Sequence, residues 1–219
     1  VINTEIVSLN KLKNSLDINF KKTVEKILDC KKGKVILSGV GKSGIIAKKI
    51  SSTLASVGTP SFFVDASSCS HGDLGQISSN DVLILISNSG ESIELKNIIQ
   101  FANRNKNITL IGIVSKKNST LYKASDVKLL IPEVKEAGLG IVPTSSTTES
   151  LAIGDCLAVA ALIKKGFKAY KEVIKVIGEY IASTKVGKWT EEKLNDLDAF
   201  LAKHPKTKRI AGMAVAGIL

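Results

Sequence analysis

Arginine is almost missing from this chain: of 31 basic residues only Arg104 and Arg209 carry a guanidinium. That scarcity bears on the formal charge of +11, which taken alone invites a nucleic-acid reading through counterion release. The planar fork that grips phosphates and base edges belongs to arginine, and the lysines are scattered along the chain. A solvated lysine-rich surface is the simpler account, and no nucleic-acid partner is expected. Cysteine is scarce as well. Cys30, Cys69 and Cys156 are odd in number, widely spaced and without a CxxC pair, so neither a disulfide framework nor a structural zinc site is suggested, and a reducing cytoplasm is the expected compartment. No run of about 18 apolar residues occurs, and no basic segment followed by a short apolar stretch opens the chain, so neither a membrane span nor an export leader is expected. Repeats and low-complexity tracts are also lacking. What remains is 219 residues, 44% of them hydrophobic, enough for one well-buried domain with a smaller appendage and too apolar for a largely disordered chain.

Between residues 4 and 30 the apolar positions Ile6, Leu9, Leu12, Leu16, Ile18, Phe20, Val24 and Ile27 recur at mostly helical intervals, predicting one or two helices. Short apolar runs follow at 35–38, 61–64, 82–86, 108–114 and 127–131. Helical patterns separate them, ending near residues 56 and 103, with a short one near Leu121 and a longer one over 148–165. Strands apolar on both faces and spaced by helices predict a three-layer αβα sandwich with a central parallel sheet. Ligand chemistry is then expected at the carboxyl ends of the strands, where the winding reverses. From about residue 167 lysine- and glutamate-rich helical segments take over at 169–183 and 190–203, before an apolar end at 210–219. The expected organisation is an α/β domain over 1–166, its amino-terminal helices at 1–32 included, and a helical appendage over 167–219.

Three junctions between strand and helix carry chemistry. The first, Gly39-Val40-Gly41-Lys42-Ser43-Gly44, offers glycines that let backbone approach an anion and a helix amino terminus with free N–H groups. A nucleoside-triphosphate loop would need glycine where Ile36 stands. The dinucleotide pattern GxGxxG is formally met, with Asp65 near a strand end beyond it, so a nicotinamide-dependent oxidoreductase remains an alternative. The second junction is Ser87-Asn88-Ser89-Gly90-Glu91-Ser92, in which four of six residues offer a neutral hydrogen-bonding side chain, suited to the several acceptor oxygens of a phosphate. The third, Pro143-Thr144-Ser145-Ser146-Thr147-Thr148-Glu149, precedes the longest helix and equally suits a capping role, with Thr148 or a neighbour as N-cap.

With these segments in view, residues 39 to about 166 resemble the sugar-isomerase (SIS) domain family, and within it the arabinose 5-phosphate isomerases. The likeness rests on six segments in order: the Gly39 and Ser87 turns, Gly-Thr-Pro-Ser-Phe-Phe-Val at 58–64, His-Gly-Asp-Leu-Gly at 71–75, Lys-Glu-Ala at 135–137 and Pro-Thr-Ser-Ser-Thr-Thr at 143–148. The resemblance implies interconversion of ribulose 5-phosphate and arabinose 5-phosphate through an enediol, in support of lipopolysaccharide synthesis. It also implies a homo-oligomer, dimer or tetramer, with active sites near subunit interfaces. By position it implies catalytic roles for Lys42, Glu94 and Glu136 and a site-lining role for His71, with Glu136 the leading proton-transfer base and Lys42 neutralising oxyanion charge. Gly41, Ser43, Ser87, Asn88, Ser89, Ser92, Ser145 and Thr147 are the candidates for holding the substrate phosphate. Neither a cofactor nor a metal is expected, and the partner is a small sugar phosphate with no membrane involved. Family members carry a His-Pro-Gly-Gly segment after the last domain helix, and many continue into paired CBS domains. In this chain His204-Pro205 is followed by Lys206-Thr207, so the family histidine's role is not carried onto His204. A phosphosugar-binding regulatory domain without turnover is therefore the second reading.

Overall fold

The computed structural model describes residues 1–183 and the isolated positions Ala199 and Lys203. Two helices open the chain, α1 (Ile2–Ser15) and α2 (Ile18–Asp29). The break between them falls at Asp17, whose carboxylate accepts the Asn19 N–H at 2.8 Å as an N-cap. Five strands follow, β1 (Val35–Gly39), β2 (Ser61–Phe63), β3 (Val82–Ile86), β4 (Thr109–Val114) and β5 (Val127–Leu130). Between them lie α3 (Lys42–Ser56), α4 (Leu95–Arg104) and α5 (Thr120–Ala124), and after β5 comes α6 (Ser145–Ser183). The chain divides into two compact units, Val1–Ala161 and Leu162–Leu219. The expected appendage segment at 169–183 is helical as the continuation of α6. Those at 190–203 and 210–219 lie outside the described residues, apart from Ala199 and Lys203.

All strand pairings are parallel, in the order β2-β1-β3-β4-β5. The expected parallel sheet is present, and the alternation of side chains explains why it is covered on both faces. Val35, Leu37, Val82, Ile84, Ile86, Ile111 and Ile113 face one core with Ala47 and Ile50 of α3 and Ile153 and Leu157 of α6. Ile36, Leu83, Leu85 and Leu110 face the other, with Leu95 and Ile98 of α4 and Leu121 of α5. Each valine, leucine or isoleucine so buried contributes about 1.5–3 kcal/mol relative to exposure. Ser145–Gly166 is long and apolar enough to cross a membrane by composition, but Glu149 and Asp155 interrupt it and Ile153, Leu157, Ala158 and Ala161 are buried in the first of these cores.

The chain winds from β1 outward to β2 and then returns across β1 to β3. The crevice between the carboxyl ends of β1 and β3 is thus the point where the winding reverses, the usual ligand position in open parallel sheets. Gly39 pairs with Ile86 in the register, so the Gly39 and Ser87 turns leave the sheet side by side.

Candidate active site

The first turn is shaped by close packing. A Cβ on Gly39 would stand 2.9 Å from the Ser43 carbonyl carbon, and one on Gly44 would stand 2.7 Å from the Gly39 oxygen. Side chains at either position would push α3 off the end of β1. Gly41 is the N-cap of α3 with φ of 58°, a left-handed conformation natural to glycine. The first N–H groups of a helix have no intrahelical partner, so Lys42 and Ser43 begin α3 with donors turned to whatever fills the crevice.

The second turn is longer than the sequence pattern implies, because α4 begins only at Leu95. Its frame is internal. Ser87 Oγ lies 3.0 Å from Ser92 Oγ and accepts the Gly90 N–H at 3.0 Å. The Asn88 carbonyl accepts both the Ser115 N–H at 3.0 Å and the Ser115 hydroxyl at 2.7 Å. Glu91 reaches back to α5, accepting the Thr120 N–H and hydroxyl, each at 2.7 Å. These bonds hold its carboxyl below the usual carboxylate range.

The third junction also differs from expectation: α6 starts at Ser145, three residues before the anticipated cap at Thr148. Thr144 sits just ahead of it, its carbonyl accepting the Thr148 N–H at 2.9 Å and the Thr147 hydroxyl at 2.7 Å. Glu136 docks onto this helix start. Its Oε2 accepts the Thr144 N–H at 2.7 Å, the Thr144 hydroxyl at 3.2 Å and the Ser146 N–H at 3.3 Å. Partial burial opposes ionisation of Glu136, but the donors on Ser146 and Thr144 outweigh it and lower the pKa. Glu136 is therefore a carboxylate at neutral pH.

A cavity of about 190 Å³ opens where the three junctions meet. Val40, Lys42, Ser43 and Ile46 line it from the first junction, Asn88 from the second, and Pro143, Ser146, Thr147 and Ser150 from the third, with Glu136 between. Of the residues singled out from sequence, Lys42, Ser43, Asn88, Glu136 and Thr147 are thus brought together. The others are not among the lining residues. Gly41 shapes the first turn, Ser87 and Ser92 brace the second, and Ser89 accepts the Glu91 N–H at 3.3 Å. Ser145 is fully buried. Glu94 is exposed at the N-cap of α4 without a side-chain capping bond, and His71 is exposed at the end of a short 3-10 turn, Ser68–His71. Asp65, the acid that kept a dinucleotide reading open, turns its carboxylate onto the Ser67 and Ser68 N–H groups at 2.9 and 3.1 Å.

Sequence reasoning did not reach Ser150, and it gave no site role of their own to Ser146 and Glu149 within the third junction. Glu149 is wholly buried, and neither carboxyl oxygen has a hydrogen-bond partner among the described residues. Burial and the nearby Glu136 push its pKa up to about 7, with Lys11 pulling the other way. The signal for it was available: Glu149, Ile153 and Leu157 recur at four-residue intervals, so the acid heads the apolar stripe of α6.

Residues 27–160 match the SIS domain family. The arabinose 5-phosphate isomerase KdsD of Francisella tularensis is 48% identical over 166 residues, 74% of this chain and 50% of that protein. KdsD of Shigella flexneri is 46% identical over 170 residues, 77% of this chain and 51% of that protein. The chain spans about half the length of these relatives. Among solved structures, an Escherichia coli CFT073 protein in complex with arabinose 5-phosphate superposes with a TM-score of 0.72 at 39% identity, covering 76% of this chain and 88% of that one.

Proposed function

The chain belongs to the SIS domain family, and from that premise we propose that it is an aldose–ketose isomerase interconverting D-arabinose 5-phosphate and D-ribulose 5-phosphate. The observation that carries this reading is the meeting of Lys42, Ser43, Asn88, Glu136 and Thr147 around one cavity. Relatives named for this reaction, and a neighbour in complex with arabinose 5-phosphate, support the choice of sugar.

The chemistry needs a base at the carbon beside the carbonyl and positive charge at the carbonyl oxygen. Glu136, ionised and fixed by the start of α6, takes the proton from C2 of the aldose and returns it to C1, while the O2 hydroxyl proton passes to O1 through the enediol, giving the ketose. The Lys42 ammonium offsets the charge that develops on the carbonyl oxygen. Ser43, Asn88 and Thr147, with the N–H groups at the start of α3, hold the phosphate through neutral donors. Glu94 and His71, off the cavity, are given no step.

Ile45, Ile93, Leu139 and Ile141 are large apolar side chains 69%, 73%, 91% and 78% exposed, on or beside the same three junctions. A homo-oligomer in which copies meet near the cavity would cover them. A cytoplasmic place in lipopolysaccharide synthesis follows from the reaction proposed.

An isomerase assay over pentose and hexose phosphates tests the reading. Turnover of ribulose 5-phosphate is expected, with kcat falling far more than phosphate binding in Lys42→Ala and Glu136→Gln. Saturable binding without turnover of any sugar would contradict it in favour of a regulatory binding domain. A melting temperature raised by NAD or NADP would instead favour an oxidoreductase.

A further inference from the structure

We propose that Glu149 is a positioning residue of this site: an un-ionised carboxyl beneath the cavity that keeps a second negative charge away from Glu136 and from the bound phosphate, and whose loss of a proton weakens anion binding. The inference rests on the cavity being a phosphate site, as proposed above.

The geometry is specific. Ser146, Thr147 and Ser150 on the first turns of α6 line the cavity, while Glu149 between them points into protein and is 0% exposed. Ser146 also donates its N–H to Glu136, so the two carboxyl groups share one helix start. One turn before Glu149, the Ser145 hydroxyl is equally buried and has no partner among the described residues. An ionised carboxylate without donors or a paired cation is the least favourable occupant of such a place, and a neutral acid is far better tolerated. Two charged groups bear on it. Glu136, from the loop ahead of α6, disfavours ionisation of Glu149, and Lys11, from α1, favours it. Burial is the larger influence, and the balance puts the titration near neutrality, at about 7. Above that point Glu149 becomes an anion next to a carboxylate and a phosphate, and both neighbours are disfavoured by like-charge repulsion. By linkage, a bound phosphate raises the proton affinity of Glu149.

Dissociation constants for arabinose 5-phosphate and for inorganic phosphate, measured by calorimetry on the full chain at pH 6 and pH 8.5, decide the matter. The wild-type value divided by that of Glu149→Gln cancels the ligand's own ionisation. That ratio is expected to rise at least about threefold between the two pH values, because glutamine keeps the shape without the charge. A flat ratio overturns the proposal, as does the absence of phosphate binding. Binding of phosphate but not of the sugar contradicts the isomerase reading alone, and the phosphate ratio then decides this one. Should Glu149→Gln not fold, infrared spectra of the wild type serve. A protonated-carboxyl band present at pH 6, lost by pH 8.5 and persisting to higher pH with phosphate supports the proposal; no such band at pH 6 overturns it.

Discussion

Thr144 and Glu136 hold each other: the Thr144 N–H and hydroxyl both donate to Glu136 Oε2, at 2.7 and 3.2 Å, while Thr144 Oγ1 accepts the Ala137 N–H at 2.8 Å. The residue ahead of α6 therefore fixes the carboxylate that faces the cavity. Thr144→Val removes the hydroxyl and leaves the N–H. Glu136 should then bind its proton more tightly, moving the acid limb of the kcat/KM profile to higher pH. Thr144→Ser should restore the wild-type limb, and an unmoved limb in the valine variant would mean the hydroxyl does not tune Glu136.

Glu149 makes stability depend on pH in a window set by its two proton affinities. The folded-state pKa of about 7 stands above the ordinary 4.5. Below pH 4.5 folded and unfolded chains both hold the proton, and the full contribution is present. As pH rises toward 7 the unfolded chain releases it and the folded chain does not, so stability falls, by up to about 3 kcal/mol, and then levels. Glu149→Leu removes this slope. Denaturant unfolding at pH 5 and pH 8 should show the variant gaining on the wild type as pH rises; parallel curves would contradict burial of the carboxyl in neutral form.

Gly90 and Gly138 separate conformation from crowding. Both have positive φ, 69° and 70°. A Cβ on Gly90 would stand 2.2 Å from Ser119 Oγ, whereas one on Gly138 would meet nothing within 4 Å. Gly138→Ala should cost about 1 kcal/mol from strain alone, and Gly90→Ala at least about 2 kcal/mol. Equal unfolding midpoints for the two variants would show that α5 gives way freely against the Ser87 turn.

Much of this was legible in the sequence, and the particular failures have physical causes. Strands such as Val82–Ile86 announce themselves because burial on both faces requires an unbroken apolar run. The Gly39 and Ser87 turns stand out because backbone approach needs glycine and phosphate needs hydroxyls. The start of α6 was misplaced by three residues because serine and threonine serve equally as caps and as first-turn residues, and local pattern does not say which carbonyl closes the first turn. Ser87 and Ser92 are phosphate candidates by pattern, and the 3.0 Å contact between their hydroxyls is a pairing that local sequence does not reveal. A hydroxyl suited to phosphate is equally suited to bracing the loop that presents it. Glu149 escaped notice because an acid after a threonine run looks like half of a capping box, and only its alignment with Ile153 and Leu157 marks it as buried.

Amide chemical shifts followed during titration with arabinose 5-phosphate probe the central claim most directly. If the three junctions form one anion site, Ser43, Asn88 and Thr147 move together and fit a single Kd. Response of one junction alone, or three unrelated Kd values, would mean that no common phosphate site exists.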